Sequence, residues 1–133
     1  MTARLEVVGI VVRDMARSLA FYRALGLEVP DSADMEGHVD STLPGGLRVA
    51  WDTVEMMQSF DAGWTAATGN SRMSLAFACD DPADVDATYA RLIDAGYDGH
   101  LPPWDAPWQM RYAVLHDPDG NTVDLFAHLP AQG

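Results

Sequence analysis

The sequence predicts an α+β fold of two βαβββ modules, whose curled mixed sheets enclose a cleft. A strand, a helix and further strands occur twice in the same order, and residues recur at a fixed spacing. The spacing is 67 residues in the helices and 74 in the last strands, in the pairs Asp14/Asp81, Tyr22/Tyr89, Leu25/Leu92, Gly46/Gly120 and Val49/Val123. Matches in two element types, with a loop insertion between them, indicate a duplicated unit. Each sheet would carry its helix on one face and turn the other toward the cleft.

The first module is predicted over about residues 1–53. A β-branched strand at residues 5–12 leads to Asp14, which is a suitable N-cap for an amphipathic helix over residues 15–25. Gly26 is the expected helix stop. The other predicted strands of this module lie at residues 27–30, 38–43 and 47–52.

A crossover with a short helical piece is predicted over residues 54–70, and the second module over about residues 71–128. The crossover contains Met56, Met57, Phe60 and Trp64, which either cover the cleft or pack a helix. The second module repeats the first, with a helix that begins at Asp81 and Pro82 and a closing hairpin over the turn 118–120. Its predicted strands are residues 74–79, 97–101, 108–117 and 121–126.

The composition predicts one globular domain over all 133 residues, without a membrane span or a signal peptide. A single cysteine, Cys79, permits no internal disulfide and favours the reducing cytoplasm. The net charge of −12 disfavours nucleic acid and anionic membranes as partners. Curled sheets leave strand edges that must be paired or covered, so a homodimer is expected.

Two long segments resemble the vicinal oxygen chelate superfamily, which includes glyoxalase I, extradiol dioxygenases and bleomycin-resistance proteins. They are VVRDMARSLAFYRALGLEVP and RYAVLHDPDGNTVDLF. Within that superfamily, the mitomycin-binding resistance proteins are similar to GGLRVAWDTVE, AGYDGHLPPWDA and WQMRYAVLHDPDGNTVDLFAHLP. The resemblance implies paired βαβββ modules, commonly exchanged between two chains, and a cleft that holds a small molecule.

Metalloenzymes of the superfamily hold a divalent ion from four positions, which correspond here to Val7, Ala50, Ser74 and Asp124. Valine and alanine offer no donor atoms, and such ions need three or more nitrogen or oxygen ligands. We therefore expect neither a metal nor another cofactor. The small residues in these positions leave room for an organic ligand instead.

Strand alternation predicts which side chains line the cleft. Ser74 and Asp124 would face it, and Asp124 brings Phe126 to the same side. On the neighbouring strand we assign Trp108, Met110, Tyr112 and Val114 to the cleft, although the alternate set could face it instead. Trp51 is expected on the helix side, with the cleft as the alternative, and Trp104 on a loop at the rim.

His38 and Thr42 lie in a polar strand of the first module. His38 is either a hydrogen-bonded surface residue or one half of a clamp, in which its imidazole and the Trp108 indole stack on a planar ligand. The resemblance implies a sandwich of this kind in drug-binding members. Thr42 would then add a hydrogen bond.

The function expected from the sequence is metal-free binding of a planar aromatic antibiotic, of mitomycin or bleomycin type, which would confer resistance. The expected ligand-binding residues are His38, Thr42, Ser74, Trp108, Met110, Tyr112, Asp124 and Phe126, with no catalytic residues. The alternatives are a glyoxalase- or dioxygenase-like enzyme with a rearranged site, and an interaction module without a small ligand.

Overall fold

The computed structural model describes residues 2–131 and has two compact units, Met1–Thr68 and Gly69–Gly133. The first unit contains three strands and two α-helices: β1 (Val7–Val12), α1 (Met15–Ala24), β2 (His38–Thr42), β3 (Arg48–Thr53) and α2 (Val54–Phe60). The second contains four strands and one helix: β4 (Ser74–Ala78), α3 (Pro82–Asp94), β5 (Asp98–Ala106), β6 (Met110–His116) and β7 (Thr122–His128). The α+β class is therefore confirmed.

The first unit has a three-stranded sheet in the order β1-β3-β2. β1 and β3 run parallel, whereas β2 is antiparallel to β3. Asp14 caps α1 as predicted, because its side chain accepts a hydrogen bond from the Arg17 amide. Trp51 of β3 is fully buried, and its ring lies 5.6 Å from that of Tyr22 on α1. The helix-side assignment of Trp51 is therefore confirmed.

The strand predicted at residues 27–30 is wrong, because a short 3₁₀ helix (Asp31–Met35) follows a segment that joins no sheet. The Arg23 guanidinium donates to the carbonyls of Val29 and Pro30, at 2.8 Å and 2.7 Å. Ser41 Oγ donates to the carbonyl of Glu28 at 3.0 Å. Side chains thus satisfy carbonyls that a sheet neighbour would otherwise use, and Pro30 has no amide to donate.

The second unit has a four-stranded sheet in the order β4-β7-β6-β5, with α3 packed against β5, β6 and β7. Asp81 caps α3 through a hydrogen bond from the Asp84 amide, and Gly96 adopts a positive φ of 95° just beyond the helix. β5 extends to Ala106 and thus beyond the predicted end at residue 101, with register shifts where it pairs with β6.

The predicted duplication is visible in the strand register. Val8 lies opposite Val49 in the first sheet, and Leu75 lies opposite Val123 in the second. Val8 and Leu75 are 67 residues apart, and Val49 and Val123 are 74 apart, which are the offsets that the sequence showed. Both pairings are parallel. Across residues 2–131 the two units are therefore built on one plan, with a fourth strand in the second unit only.

Cys79 follows β4, where it is half-buried on the side of α3. Burial raises the pKa of the Cys79 thiol, and the nearby Asp84 carboxylate raises it further. A thiol of this kind is a weak nucleophile at neutral pH.

None of the helices within residues 2–131 combines the length and the apolar character that crossing a bilayer requires.

Candidate ligand-binding site

The second sheet has one face covered by α3 and an opposite face, which we call the distal face. Arg111 of β6 belongs to the helix side, since its guanidinium pairs with Asp86 of α3 at 2.9 Å. Its neighbours Met110 and Tyr112 therefore belong to the distal face. Asp124 lies directly opposite Val114 and shares that face. Met110, Tyr112 and Val114 are thus on the same face as Asp124, and their position in a cleft stays a prediction.

Three aromatic rings, which we call the aromatic triad, lie together on this face. Trp104 pairs with Tyr112 across β5 and β6, and Trp108 lies in the turn between these strands. The ring centroids are 6.0 Å apart for Trp104 and Trp108, 5.7 Å for Trp104 and Tyr112, and 5.3 Å for Trp108 and Tyr112. All three pairs are steeply tilted, at 87°, 72° and 83°. Trp108 is 51% exposed, so part of the triad is open to solvent.

The turn that presents Trp108 has an unusual backbone. Gln109 has a φ of 64°, and no other non-glycine residue within residues 2–131 has a positive φ. Its carbonyl accepts a hydrogen bond from the Leu129 amide at 3.0 Å, which ties the turn to the end of β7. Such local strain tends to cluster at functional sites. Trp108 was predicted to be a strand residue, and this is wrong because β6 begins at Met110.

Asp124 is the buried polar group of the distal face, at 7% exposure. The Tyr112 hydroxyl donates a hydrogen bond to its Oδ2 atom. Its Oδ1 atom is buried and has no hydrogen-bond partner among residues 2–131. A buried carboxylate oxygen without a donor is costly, so this atom is suited to receive a donor from a ligand.

Burial, followed by the hydrogen bond and the charge of Asp124, raises the pKa of Tyr112 from 10.0 to about 12. We expect Tyr112 to remain a donor to Asp124 throughout the neutral range. The difference in alkaline ultraviolet titration between the wild type and Tyr112→Phe should give a midpoint near 12. Because this folded-state pKa exceeds that of the unfolded chain, the related stability is present below about pH 10 and is lost as the pH rises through 12. A midpoint near 10 would contradict the buried pair.

The other predicted residues of the second unit also map to this face. Thr122 and Phe126 share it with Asp124, and Ser74 lies opposite Thr122 at the exposed edge strand β4. The Phe126 ring is 6.1 Å from that of His128. Met110 begins β6 and is half-buried. All six candidates of the second unit, Ser74, Trp108, Met110, Tyr112, Asp124 and Phe126, therefore belong to one face or its adjoining turn.

In the first unit, His38 and Thr42 share the face of β2 opposite α1. The Nδ1 atom of His38 lies 2.6 Å from Oδ1 of Asp52, which is directly opposite on β3. The Arg48 guanidinium pairs with Asp40 at 3.0 Å on the same face. The interpretation of His38 as a hydrogen-bonded residue therefore agrees with its contacts, and its stacking role stays a prediction.

Two residues were missed or misplaced by the sequence reasoning. Trp104 was expected on a rim loop, but it lies within β5 opposite Tyr112. Asp52, the partner of His38, was not among the predicted site residues. In both cases the signal is the strand register, which assigns cross-strand neighbours once the pairing is known.

The residues at the expected metal positions do not fit a divalent ion. Of the four positions, Val7 and Ala50 of the first sheet have side chains without donor atoms. Ser74 and Asp124 of the second sheet supply side-chain oxygen atoms. Within the described range 2–131, no three His, Cys, Asp or Glu side chains are grouped so that they could hold a metal ion.

The structure is similar to a glyoxalase/bleomycin resistance protein/dioxygenase family enzyme from Burkholderia phytofirmans PsJN, with a TM-score of 0.81, 23% identity, and coverage of 96% of this chain and 100% of that chain. A glyoxalase/bleomycin resistance protein/dioxygenase from Nocardioides gives 0.76 and 24%, with coverage of 100% and 91%. TioX from Micromonospora sp. ML1 gives 0.63 and 24%, with coverage of 96% and 100%. At these identities the likeness shows the fold.

No curated protein sequence matches the chain. The profile of the Glyoxalase/Bleomycin resistance protein/Dioxygenase superfamily matches residues 4–125, which is nearly the whole sequence. That name covers both enzymes and a resistance protein. The chain belongs to the glyoxalase/bleomycin resistance protein/dioxygenase superfamily.

Proposed function

We propose that the protein binds and sequesters a planar aromatic antibiotic of mitomycin or bleomycin type in the cytoplasm, without a metal, and thereby confers resistance. The observation that carries the proposal is the aromatic triad beside the buried carboxylate of Asp124. The triad supplies flat apolar surface for a ring system, and Asp124 supplies a hydrogen-bond acceptor that fixes its orientation. Family membership supports the proposal, since the superfamily includes a resistance protein.

The half-exposed indole of Trp108 is the best anchor for stacking, because it offers a large ring that is free to meet a ligand. The Tyr112 ring contacts both tryptophan rings, and its hydroxyl donates to Asp124. Tyr112 should therefore lose little further side-chain entropy when a ligand binds. Met110 and Phe126 extend the apolar surface, and Ser74 offers a hydroxyl at the edge. His38 and Thr42 of the first unit are proposed as further ligand contacts.

We also propose that the protein acts as a homodimer. β4 and β5 are the end strands of the second sheet, and β1 and β2 those of the first. End strands present backbone groups that another chain can pair with or cover. Sedimentation at micromolar concentration is expected to show a dimer, and a monomer would remove this part of the proposal.

Isothermal titration calorimetry with mitomycin C and with quinoxaline-2-carboxamide, in buffer that contains a chelator, tests the binding function. The wild type should bind at least one of them saturably, and Trp108→Ala should weaken that binding about ten-fold or more through lost stacking and contact area. Trp51→Phe is the matched control, because Trp51 lies on the helix side of the first sheet. Its affinity should stay within about two-fold of the wild type. Unchanged affinity in Trp108→Ala would contradict the stacking site.

A further inference from the structure

We propose that the distal face selects an aromatic molecule that carries a protonated amine, with Asp124 as the group that receives the amine. This inference rests on the proposed function and adds the charge and donor chemistry of the ligand. Its basis is the difference between the two oxygens of Asp124. Oδ2 accepts a hydrogen bond from Tyr112, while Oδ1 is buried and without a partner among residues 2–131.

Within its own sheet, Asp124 has no positively charged cross-strand neighbour among residues 2–131. Its cross-strand neighbours are Val114 and Ala76, and Tyr112 provides a neutral donor. Arg111 is the arginine of β6, and it points to the opposite face, where it pairs with Asp86 and Asp105. No ion pair of Asp124 occurs within residues 2–131. A buried carboxylate is stabilised far better by a cation than by a neutral donor, so the ligand is the natural source of that charge.

The aromatic triad also favours a positively charged ligand. Its three rings meet at steep angles, with centroids between 5.3 and 6.0 Å apart, and the outermost, Trp108, is half-exposed. Tryptophan and tyrosine faces attract ammonium groups through the ring quadrupole. The overall charge of −12 adds a long-range attraction for cations and a repulsion for anions.

Three probes of equal shape separate these effects: protonated 2-naphthylmethylamine, 2-naphthylmethanol and 2-naphthoate. Calorimetry at neutral pH is expected to show the amine binding at least about ten-fold tighter than the alcohol, with naphthoate weakest. In Asp124→Asn the amide oxygen can still accept from Tyr112, while the amide nitrogen takes the place of Oδ1. The amine's advantage should then fall to about two-fold or less, and naphthoate should gain affinity.

Asp94→Asn is the control for net charge, because Asp94 is an exposed residue at the end of α3. The substitution removes the same single charge as Asp124→Asn. It should retain the full preference for the amine. Equal binding of amine and alcohol by the wild type, with a loss in Trp108→Ala, would overturn the charge selection and leave the aromatic site intact. A preference that survives in Asp124→Asn would also overturn it. If none of the probes binds, both this inference and the aromatic site fail.

Discussion

Trp51→Ala is expected to lower the free energy of unfolding by about 3 to 5 kcal/mol, which is the usual cost of removing a large buried ring. Trp51 is fully buried on the central strand of the first sheet, where it lies opposite Ile10 on one side and Val39 on the other. Its ring also packs against Tyr22 of α1. The cavity would therefore open between the sheet and its helix, where neither partner can close it without moving backbone.

Chemical denaturation by urea measures this change, and Trp51→Phe serves as the control. Phenylalanine keeps a ring against Tyr22 and removes an indole N–H that has no hydrogen-bond partner among residues 2–131. Its cost should be well below that of alanine, at about 1 to 2 kcal/mol. A loss of less than about 1 kcal/mol in Trp51→Ala would show that Trp51 is not part of a packed core.

Asp117→Ala is expected to destabilise the second unit by about 2 to 3 kcal/mol, because it leaves turn amides without their acceptor. Asp117 is 3% exposed and lies between β6 and β7. Its carboxylate accepts from the Asp119 amide, the Asn121 amide and the Asn121 side chain, each at 2.9 Å. The turn fixes the register that sets Tyr112 and Asp124 on one face.

Loss of the Asp117 contacts should affect the ligand site as well as stability, so both the unfolding midpoint and the ligand affinity are measured. The unfolding midpoint should fall in Asp117→Ala and fall less in Asp117→Asn, which keeps one acceptor oxygen for the two backbone amides. Affinity for the aromatic probes should weaken in parallel with the loss of order in the hairpin. A full-affinity, wild-type-stable Asp117→Ala protein would show that the turn is held by other contacts.

The duplicated plan could be predicted from the sequence because it is encoded locally. Asp14 and Asp81 are caps, and the apolar spacing of the following residues marks the two helices. Val49 and Val123 are both buried next to the first strand of their own unit, so the same packing requirement recurs at each. Caps and buried faces leave a pattern that needs no knowledge of distant contacts.

The errors arose where distant contacts decide the local structure. Residues 27–30 have the composition of a strand, but Arg23 and Ser41 bind their carbonyls instead. Trp104 was expected on a loop and follows Pro102 and Pro103 in the sequence, yet it lies in β5, an edge strand with register shifts, where proline is tolerated. Neither the side-chain contacts nor the edge position can be read from a short stretch of sequence.

The sequence could predict which residues of the candidate site share a face of the sheet, but not which of them contact each other. Alternation assigned Tyr112 and Asp124 to one side, but their hydrogen bond is diagonal, since Tyr112 lies opposite Phe126 and Asp124 opposite Val114. The same limit applies to His38, whose partner Asp52 lies across a strand pair. Strand alternation does not specify the length or polarity of the side chains at these positions. Only the three-dimensional register therefore identifies the pairs.

The binding of an aromatic ligand to the distal face of the second sheet is tested most directly by the indole N–H signals of the four tryptophans in a ¹⁵N–¹H correlation spectrum. The signals are assigned with single Trp→Phe variants, and quinoxaline-2-carboxamide or protonated 2-naphthylmethylamine is added to saturation. The signals of Trp104 and Trp108 are expected to shift together, while that of buried Trp51 stays in place. Signals of Trp104 and Trp108 that remain unmoved at saturating ligand would contradict the proposed site.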